Sequence, residues 1–229
     1  MMHDKDIGFQ RSLSVPALAS WEILSVVTSV LIAEWIAAAT VGINKLVIAI
    51  PVTLAFVFMI LSHREHRESL KDLGFRLDNF VAAMLMLLPP MVVSTLVFLV
   101  VGGLSGSGIH PLRWSISRPL VVQLSLGALW GLTQQYVLQA FINRRTMLVV
   151  GRGWVSILIV AAIFAGLHLP NVWLAVITFA GGVIWATVYQ RTPNLFALAV
   201  SHSLMTWVVI STAPPSALHH LRIGFSYFG

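Results

Sequence analysis

Continuous apolar runs close to the thickness of a lipid bilayer are the feature that most constrains this fold. A helix needs about 20 apolar residues to cross the hydrocarbon core. Only 10% of the 229 residues are charged, against about a quarter in soluble domains, and the runs do not alternate as barrel strands do. The sequence therefore predicts an all-α polytopic membrane protein, a bundle of about seven transmembrane helices, with six to eight possible. The predicted spans are Trp21–Ile43, Leu46–Leu61, Phe80–Val101, Pro119–Ile142, Trp154–Leu169, Asn171–Tyr189 and Asn194–Thr212.

The basic residues predict how the bundle is oriented. Ten of the fourteen Lys and Arg lie in the N-terminal segment and in residues 62–79, 143–153 and 190–192, which the positive-inside rule assigns to the cytoplasm. The first apolar run lacks a cleavable leader pattern and is interpreted as an anchor. We expect an integral protein of a prokaryotic inner membrane with a cytoplasmic N-terminus.

The connection between the second and third spans divides the chain. Residues 1–62 would form an N-terminal cytoplasmic segment with the first two spans, and residues 63–229 a membrane core with a short C-terminal tail. The charged stretch His63–Asn79 has the pattern of a cytoplasmic amphipathic helix and a turn, with Gly74 as its C-cap, and a solvated connector is the alternative interpretation. The bilayer is one expected partner. Nucleic acid is not, because no phosphate loop or basic–aromatic pattern is present.

Amide and imidazole side chains interrupt the later apolar runs. Each such group must find a partner inside the protein, because lipid offers none. Interhelical packing would account for one glutamine, but three within six residues and a histidine in each of two other spans favour a functional site. Gln123, Gly127, Gly131 and Gln134 fall within roughly 80° of one helix face, and Gln135 and Gln139 share a neighbouring face. The histidines are His168 and His202.

Small and polar residues also recur at helical spacing in the sixth span. Asn171, Ala175, Thr178 and Gly182 predict a stripe that lets a neighbouring helix approach closely. Asn171 is further expected to cap this helix, because asparagine is favoured at that position.

Acidic residues are confined to the first third of the chain. All eight lie at or before Asp78, and Glu34 is the only carboxylate in the middle of a span. The sequence has no cysteine. Without Cys, Asp or Glu nearby, His168 and His202 make at most half of a usual zinc site. We therefore expect no cofactor, and keep zinc at these two histidines as an alternative.

These residues and their order resemble the CPBP family of intramembrane proteases (Abi, or type II CAAX prenyl endopeptidase-like). That family carries Glu-Glu-x-x-x-Arg, then Phe-x-x-x-His, then His-x-x-x-Asn. The second motif is intact at Phe164 and His168, and the third has His202 with Thr206 in place of Asn. The first is recognisable by position, with Gln134, Gln135 and Gln139 in place of its two glutamates and arginine. The segment Ser69–Leu77 also resembles the family's stretch ahead of its core.

The resemblance implies that a glutamate and a histidine activate water, while other His and Asn groups stabilise an oxyanion. It implies an endopeptidase acting on a membrane-anchored or CAAX-like peptide or protein tail. Catalysis would involve Gln134, Gln135, His168, His202 and Glu34. Substrate or oxyanion contacts would come from Gln139, Thr206 and Asn171.

The glutamines are a departure from this chemistry, because an amide cannot act as a general base. A histidine or Glu34 could supply the base, since Glu34 and His168 lie at similar depths, roughly 20 and 21 Å at about 1.5 Å per residue. Alternatively, the chain is a catalytically inactive family member acting as a membrane binding or immunity protein, or the glutamines are engineered changes. A small transporter is disfavoured, because charged residues of a transport pathway are nearly absent.

Overall fold

The computed structural model describes residues 14–41, 45–105, 109 and 119–229, and these form helices joined by turns without any strand. The all-α fold class is confirmed. Five helical segments of this part of the chain, the first running from Val15 to Thr40, are long and apolar enough to cross a membrane, and α7 is a shorter apolar helix. The α-helices are α1 Val15–Leu31, α2 Ala38–Val41, α3 Lys45–Glu65, α4 Phe80–Leu104, α5 Leu120–Gln135, α6 Arg144–Val150, α7 Trp154–Gly166, α8 Val172–Arg191, α9 Leu195–Thr212 and α10 Pro215–Leu218.

Two π-helical segments join neighbouring helices into longer rods. Ile32–Ala37 connects α1 to α2, and Tyr136–Asn143 connects α5 to α6. The predicted connection over residues 143–153 is therefore wrong in its first part, because helical structure continues to Val150. The two arginines that follow Asn143 find buried acidic partners, so they do not have to end the helix in water.

The predicted amphipathic helix at His63–Asn79 is also wrong. Helix α3 continues to Glu65, and turns follow up to α4. Gly74 adopts φ +96°, and its carbonyl accepts a hydrogen bond from the backbone N–H of Leu195 at 2.9 Å. Glu68 of this stretch forms ion pairs with Arg144 and Arg145 of α6. Lys71 and Arg76 pair with Asp78 within the stretch.

Helices α4, α5, α7, α8 and α9 pack closely against one another. Helix α7 packs along α8, and α9 lies between α4 and α5. The predicted small-residue stripe is buried at Ala175, Thr178 and Gly182, and a Cβ built on Gly182 would lie 2.9 Å from the Cα of Ala161. This stripe does permit the close approach of α7.

The predicted orientation in the bilayer depends partly on residues 1–13, Arg113 and Arg118, which lie outside the described residues. It stays a prediction, as does the division of the chain at residue 62.

Candidate functional site

A cavity of about 610 Å³ lies among helices α5, α7, α8 and α9. Four of the candidate residues line it: Gln134 from α5, His168 just after α7, and His202 and Thr206 from α9. Most of the other lining residues are apolar: Leu126, Trp130, Phe164, Leu174, Ile177, Trp185, Met205, Val209, Leu221 and Ile223. Among the described residues that line the cavity there is no Asp or Glu.

His168 is held at the end of α7 by the residue one helical turn before it. Its Nδ1 lies 2.7 Å from the backbone oxygen of Phe164, and the two rings meet edge to face with centroids 4.7 Å apart. A carbonyl oxygen only accepts hydrogen bonds, so Nδ1 carries the proton in the neutral ring. The lone pair of the neutral His168 ring is therefore on Nε2, and this nitrogen can accept a hydrogen bond or a proton.

His202 is fixed by a ring on one side and by an amide on the other. It stacks on Trp185 with centroids 4.5 Å apart and planes at 3°. Its Nδ1 lies 3.1 Å from Nε2 of the buried Gln135. Gln135 itself does not line the cavity. It is connected to the cavity through His202.

The orientation of the Gln135 amide determines where His202 carries its proton. With Nε2 facing His202, the buried Oε1 of Gln135 has no partner. The reversed amide would instead leave the two N–H donors of an NH₂ group unpartnered, and orphaned buried donors are rarer than under-satisfied carbonyl oxygens. Gln135 therefore donates to Nδ1, and the proton of the neutral His202 ring is on Nε2. The two histidines offer the cavity opposite groups, an acceptor from His168 and a donor from His202.

Gln139 and Asn171 do not line the cavity. The Oε1 of Gln139 accepts a hydrogen bond from Asn143 at 2.8 Å. Asn171 caps α8 as expected, accepting from the N–H of Leu174 at 3.1 Å, and its Nδ2 donates to the carbonyl of Leu218 at 2.9 Å. Gln135 and Gln139 are both buried, but their side chains have different partners, His202 for Gln135 and Asn143 for Gln139.

Glu34 lies in the first π-helical segment and does not line the cavity. Within the described chain its carboxylate has no hydrogen bond or ion pair with either histidine. The backbone of Glu34 lies against Gly224, whose N–H donates to the carbonyl of Leu169 at 3.0 Å. The C-terminal segment thus bridges Glu34 and the His168 turn. A role for Glu34 as the base stays a prediction.

The two serines on either side of His202 in the sequence form hydrogen bonds with residues other than His202. Ser201 Oγ accepts from the indole N–H of Trp185 at 2.9 Å, and Ser203 Oγ donates to the carbonyl of Leu124 at 2.8 Å. In the part of the chain that the structure describes, no group of three or more His, Asp or Glu residues is placed to hold a metal ion. The zinc alternative therefore has no more than the two histidine ligands and stays a prediction.

A second, more apolar cavity of about 470 Å³ adjoins the first. It lies against α4, α8 and α9, and Phe98, Val101 and Trp173 are among its lining residues. Residues common to both cavities form the wall between them: Ile177, Trp185, Met205 and Val209.

A buried ion cluster that joins α1, α6 and the turn after α3 was missed from the sequence. Arg145 has a side chain only 1% exposed. Its Nε lies 2.7 Å from Glu22 and its Nη2 2.9 Å from Glu68. Burial alone would raise the pKa of Glu68, but hydrogen bonds from His63 and Arg145 lower it well below its usual range. The signal was Glu22, a carboxylate at the edge of an apolar run that needs a partner.

Part of the chain matches a known protein family. Residues 116–208 match the model of the family described as Rce1-like, type II CAAX prenyl endopeptidase Rce1-like. The matched range contains all four candidate residues that line the cavity, together with Gln135. No curated protein and no solved structure matches this chain.

Proposed function

We propose that this chain, whose residues 116–208 match the model of the type II CAAX prenyl endopeptidase Rce1-like family, is an intramembrane endopeptidase of the CPBP group. Its substrate would be a membrane-anchored peptide or the tail of a membrane-anchored protein. One observation carries the proposal: His168 and His202 line the same cavity with complementary hydrogen-bonding states.

The two histidines would divide the chemistry between them. The Nε2 of His168 would accept a proton from water as its oxygen attacks the scissile peptide carbonyl. The Nε2–H of His202 would donate to the oxyanion that forms, and Gln134 and Thr206, which also line the cavity, are further donors. When the C–N bond breaks, His168 would return the proton to the leaving amine, so that one water molecule is consumed for each peptide bond.

We assign the base to His168 rather than Glu34 because of where the two groups lie. His168 lines the cavity, whereas Glu34 does not. A base must come within hydrogen-bond reach of the water that it activates, directly or through one further water. A neutral imidazole is suited to this role, because histidine is the side chain most often used as a general base.

The apolar cavity beside the site supports a membrane-anchored substrate. An apolar anchor could occupy it while the peptide lies in the polar cavity, with only the shared wall between them.

A second candidate function is a membrane binding or immunity protein that uses the same cavity without cleaving its partner. The observation that favours it is that none of the described residues lining the cavity is an Asp or Glu. The two functions differ in turnover and not in where the partner binds.

Cleavage by the purified full chain in liposomes tests the proposal, with membrane-anchored fluorogenic peptides as substrates. His168→Ala should lower kcat/KM about 10²–10⁴-fold, the usual effect of losing a general base. His202→Ala should also lower it, whereas Glu34→Gln should leave it nearly unchanged. Loss of activity in Glu34→Gln but not in His168→Ala would reassign the base. If no peptide is cleaved and a crosslinker still traps a partner in the cavity, the binding function replaces the protease.

A further inference from the structure

The C-terminal segment enters the candidate site in an extended form. Leu221 and Ile223, two residues apart, line the cavity, whereas Arg222 between them is exposed. Arg222 (φ −71°, ψ 141°) and Ile223 (φ −134°, ψ 172°) have extended backbone angles. Side chains alternate between opposite sides in extended chains. Residues 221–223 therefore have the pattern of a peptide lying along the cavity with every second side chain turned inward.

Main-chain hydrogen bonds hold this segment beside His168. The N–H of Gly224 donates to the carbonyl of Leu169, the residue after His168, at 3.0 Å. The Nδ2 of Asn171 donates to the carbonyl of Arg222 at 3.3 Å. Contacts of this kind do not depend on side-chain identity, and extended peptides are commonly bound through their backbone in this way.

Gly224 fits where a larger residue would not. It has φ +54°, and a Cβ added there would lie 2.6 Å from the carbonyl oxygen of Glu34. The segment therefore docks between the first π-helical segment and the turn after α7 only while residue 224 is glycine.

The docked form is strained just before it enters the cavity. His219, His220 and Leu221 have φ values of 44°, 54° and 60°, in the left-handed region that disfavours residues with a Cβ. Three such residues in succession oppose docking, whereas the contacts of Ile223 and Gly224 favour it. Displacement of the segment would relieve this strain.

We propose that this edge of the cavity is a binding site for an extended peptide, and that residues Leu221–Gly224 occupy it until another peptide displaces them. The ligand would place apolar side chains, two residues apart, in the cavity and donate a backbone N–H to Leu169. The identity of that peptide as a substrate rests on the proposed function. The binding itself requires no catalysis.

The Gly224→Val variant of the full chain tests this site. The probe is a fluorescent synthetic peptide with the sequence of residues 220–229, and its binding is measured by anisotropy in detergent micelles. Expulsion of the native segment should free the site, so the variant should bind the probe at least tenfold more tightly than the unaltered chain. Gly103→Val is the matched control, because a Cβ at Gly103 has no neighbour within 4 Å, and its affinity should equal that of the unaltered chain. Equal affinities of the Gly224→Val variant and the unaltered chain would overturn the proposal.

A reversible crosslink gives a second measurement that does not depend on how well Gly224→Val folds. The rings of Trp35 and Phe228 lie 6.4 Å apart between centroids, and the chain has no cysteine. Trp35→Cys with Phe228→Cys therefore creates a unique pair for a short, reducible thiol crosslinker. The crosslinked protein should bind the probe at least tenfold more weakly than the same protein after reduction, and no change on reduction would count against the proposal. Probe binding without cleavage of any peptide would uphold this site and reject the protease.

Discussion

At the residue scale, the contact between Gln135 and His202 explains how a site without a carboxylate can present a defined hydrogen-bond donor. The amide donates to Nδ1 at 3.1 Å, which leaves the proton of the neutral ring on Nε2. Gln135 is a positioning residue in this scheme, because it acts on the cavity only through His202.

Gln135→Glu should reverse the tautomer of His202. A carboxylate cannot donate, so it would accept a hydrogen bond from Nδ1–H and leave the lone pair on Nε2. The ¹⁵N shifts of the His202 ring report directly which nitrogen carries the proton. They should exchange their protonated and unprotonated values between the unaltered protein and the variant at the same pH.

Gln139→Leu is the matched control for this measurement. Gln139 is a buried glutamine of the next helical segment with Asn143 as its partner, so its loss should leave the His202 shifts unchanged. Unchanged shifts in Gln135→Glu would show that the amide does not select the tautomer.

Sequence patterns predicted most of the residues that line the site, and what they could not predict has a physical reason. Motif spacing selected Gln134, His168, His202 and Thr206, and all of them line one cavity. Glu34 was compared with His168 by depth alone, and depth does not say which way a side chain faces around its helix. Only the packing of the C-terminal segment against Glu34 gives that direction.

At the element scale, the apolar runs predicted which segments are helical. They did not predict where a segment becomes π-helical. Helix α4 begins at Phe80 as predicted. The π-helical segment Tyr136–Asn143 was not foreseen, because its residues are as apolar as those of a regular helix. Its i→i+5 hydrogen bonds place more residues in each turn than an α-helix does, so the angular positions of the side chains that follow differ from those counted at 100° per residue.

Gly182→Ala tests the close packing of α7 on α8. The added Cβ would lie 2.9 Å from the backbone Cα of Ala161, so one helix must shift. The expected cost is about 1–3 kcal/mol of unfolding free energy, as for other overpacked cores, measured by denaturation with SDS in mixed micelles. Gly103→Ala, on an open face of α4, should instead be neutral or stabilising by up to about 1 kcal/mol. Equal effects of the two substitutions would contradict the packing described for Gly182.

At the scale of the whole molecule, the ion cluster joins parts of the chain that are far apart in sequence. Arg145 of α6 pairs with Glu22 of α1 and with Glu68 of the turn after α3, and Ser62 donates to Glu22 at 2.5 Å. No local pattern could predict these pairs, because their partners are separated by up to about half of the chain.

Arg145→Met should destabilise the bundle by about 3–5 kcal/mol, the cost of removing one partner from a buried ion pair. Two carboxylates would then lack their common counter-charge. Arg64→Met is a control on the exposed end of α3, and its effect should stay within about 0.5 kcal/mol. SDS denaturation of the two variants provides the comparison, and a loss no larger in Arg145→Met would show that the cluster adds little to stability.

The cluster also predicts how stability depends on pH. The pKa of Glu68 is lower in the folded protein than its unfolded value of about 4.3. Its carboxylate therefore contributes stability above that value, and the contribution is lost as the pH falls towards the lower folded-state pKa. Unfolding measured from pH 7 to pH 3 should show stability falling below about pH 4.3. The fall should be smaller in Glu68→Gln, which cannot titrate, and an identical profile would exclude Glu68 as a source of the acid sensitivity.

The placement of these charges has a consequence for how the protein is made. Glu22 enters the membrane with the first helix, whereas Arg145 is synthesised more than a hundred residues later. No acidic residue follows Asp78, so the buried arginine must obtain both of its counter-ions from spans and turns that are already inserted. Glu22 therefore has no arginine partner until α6 has been synthesised, and its ion pair forms only after at least 123 further residues have been added.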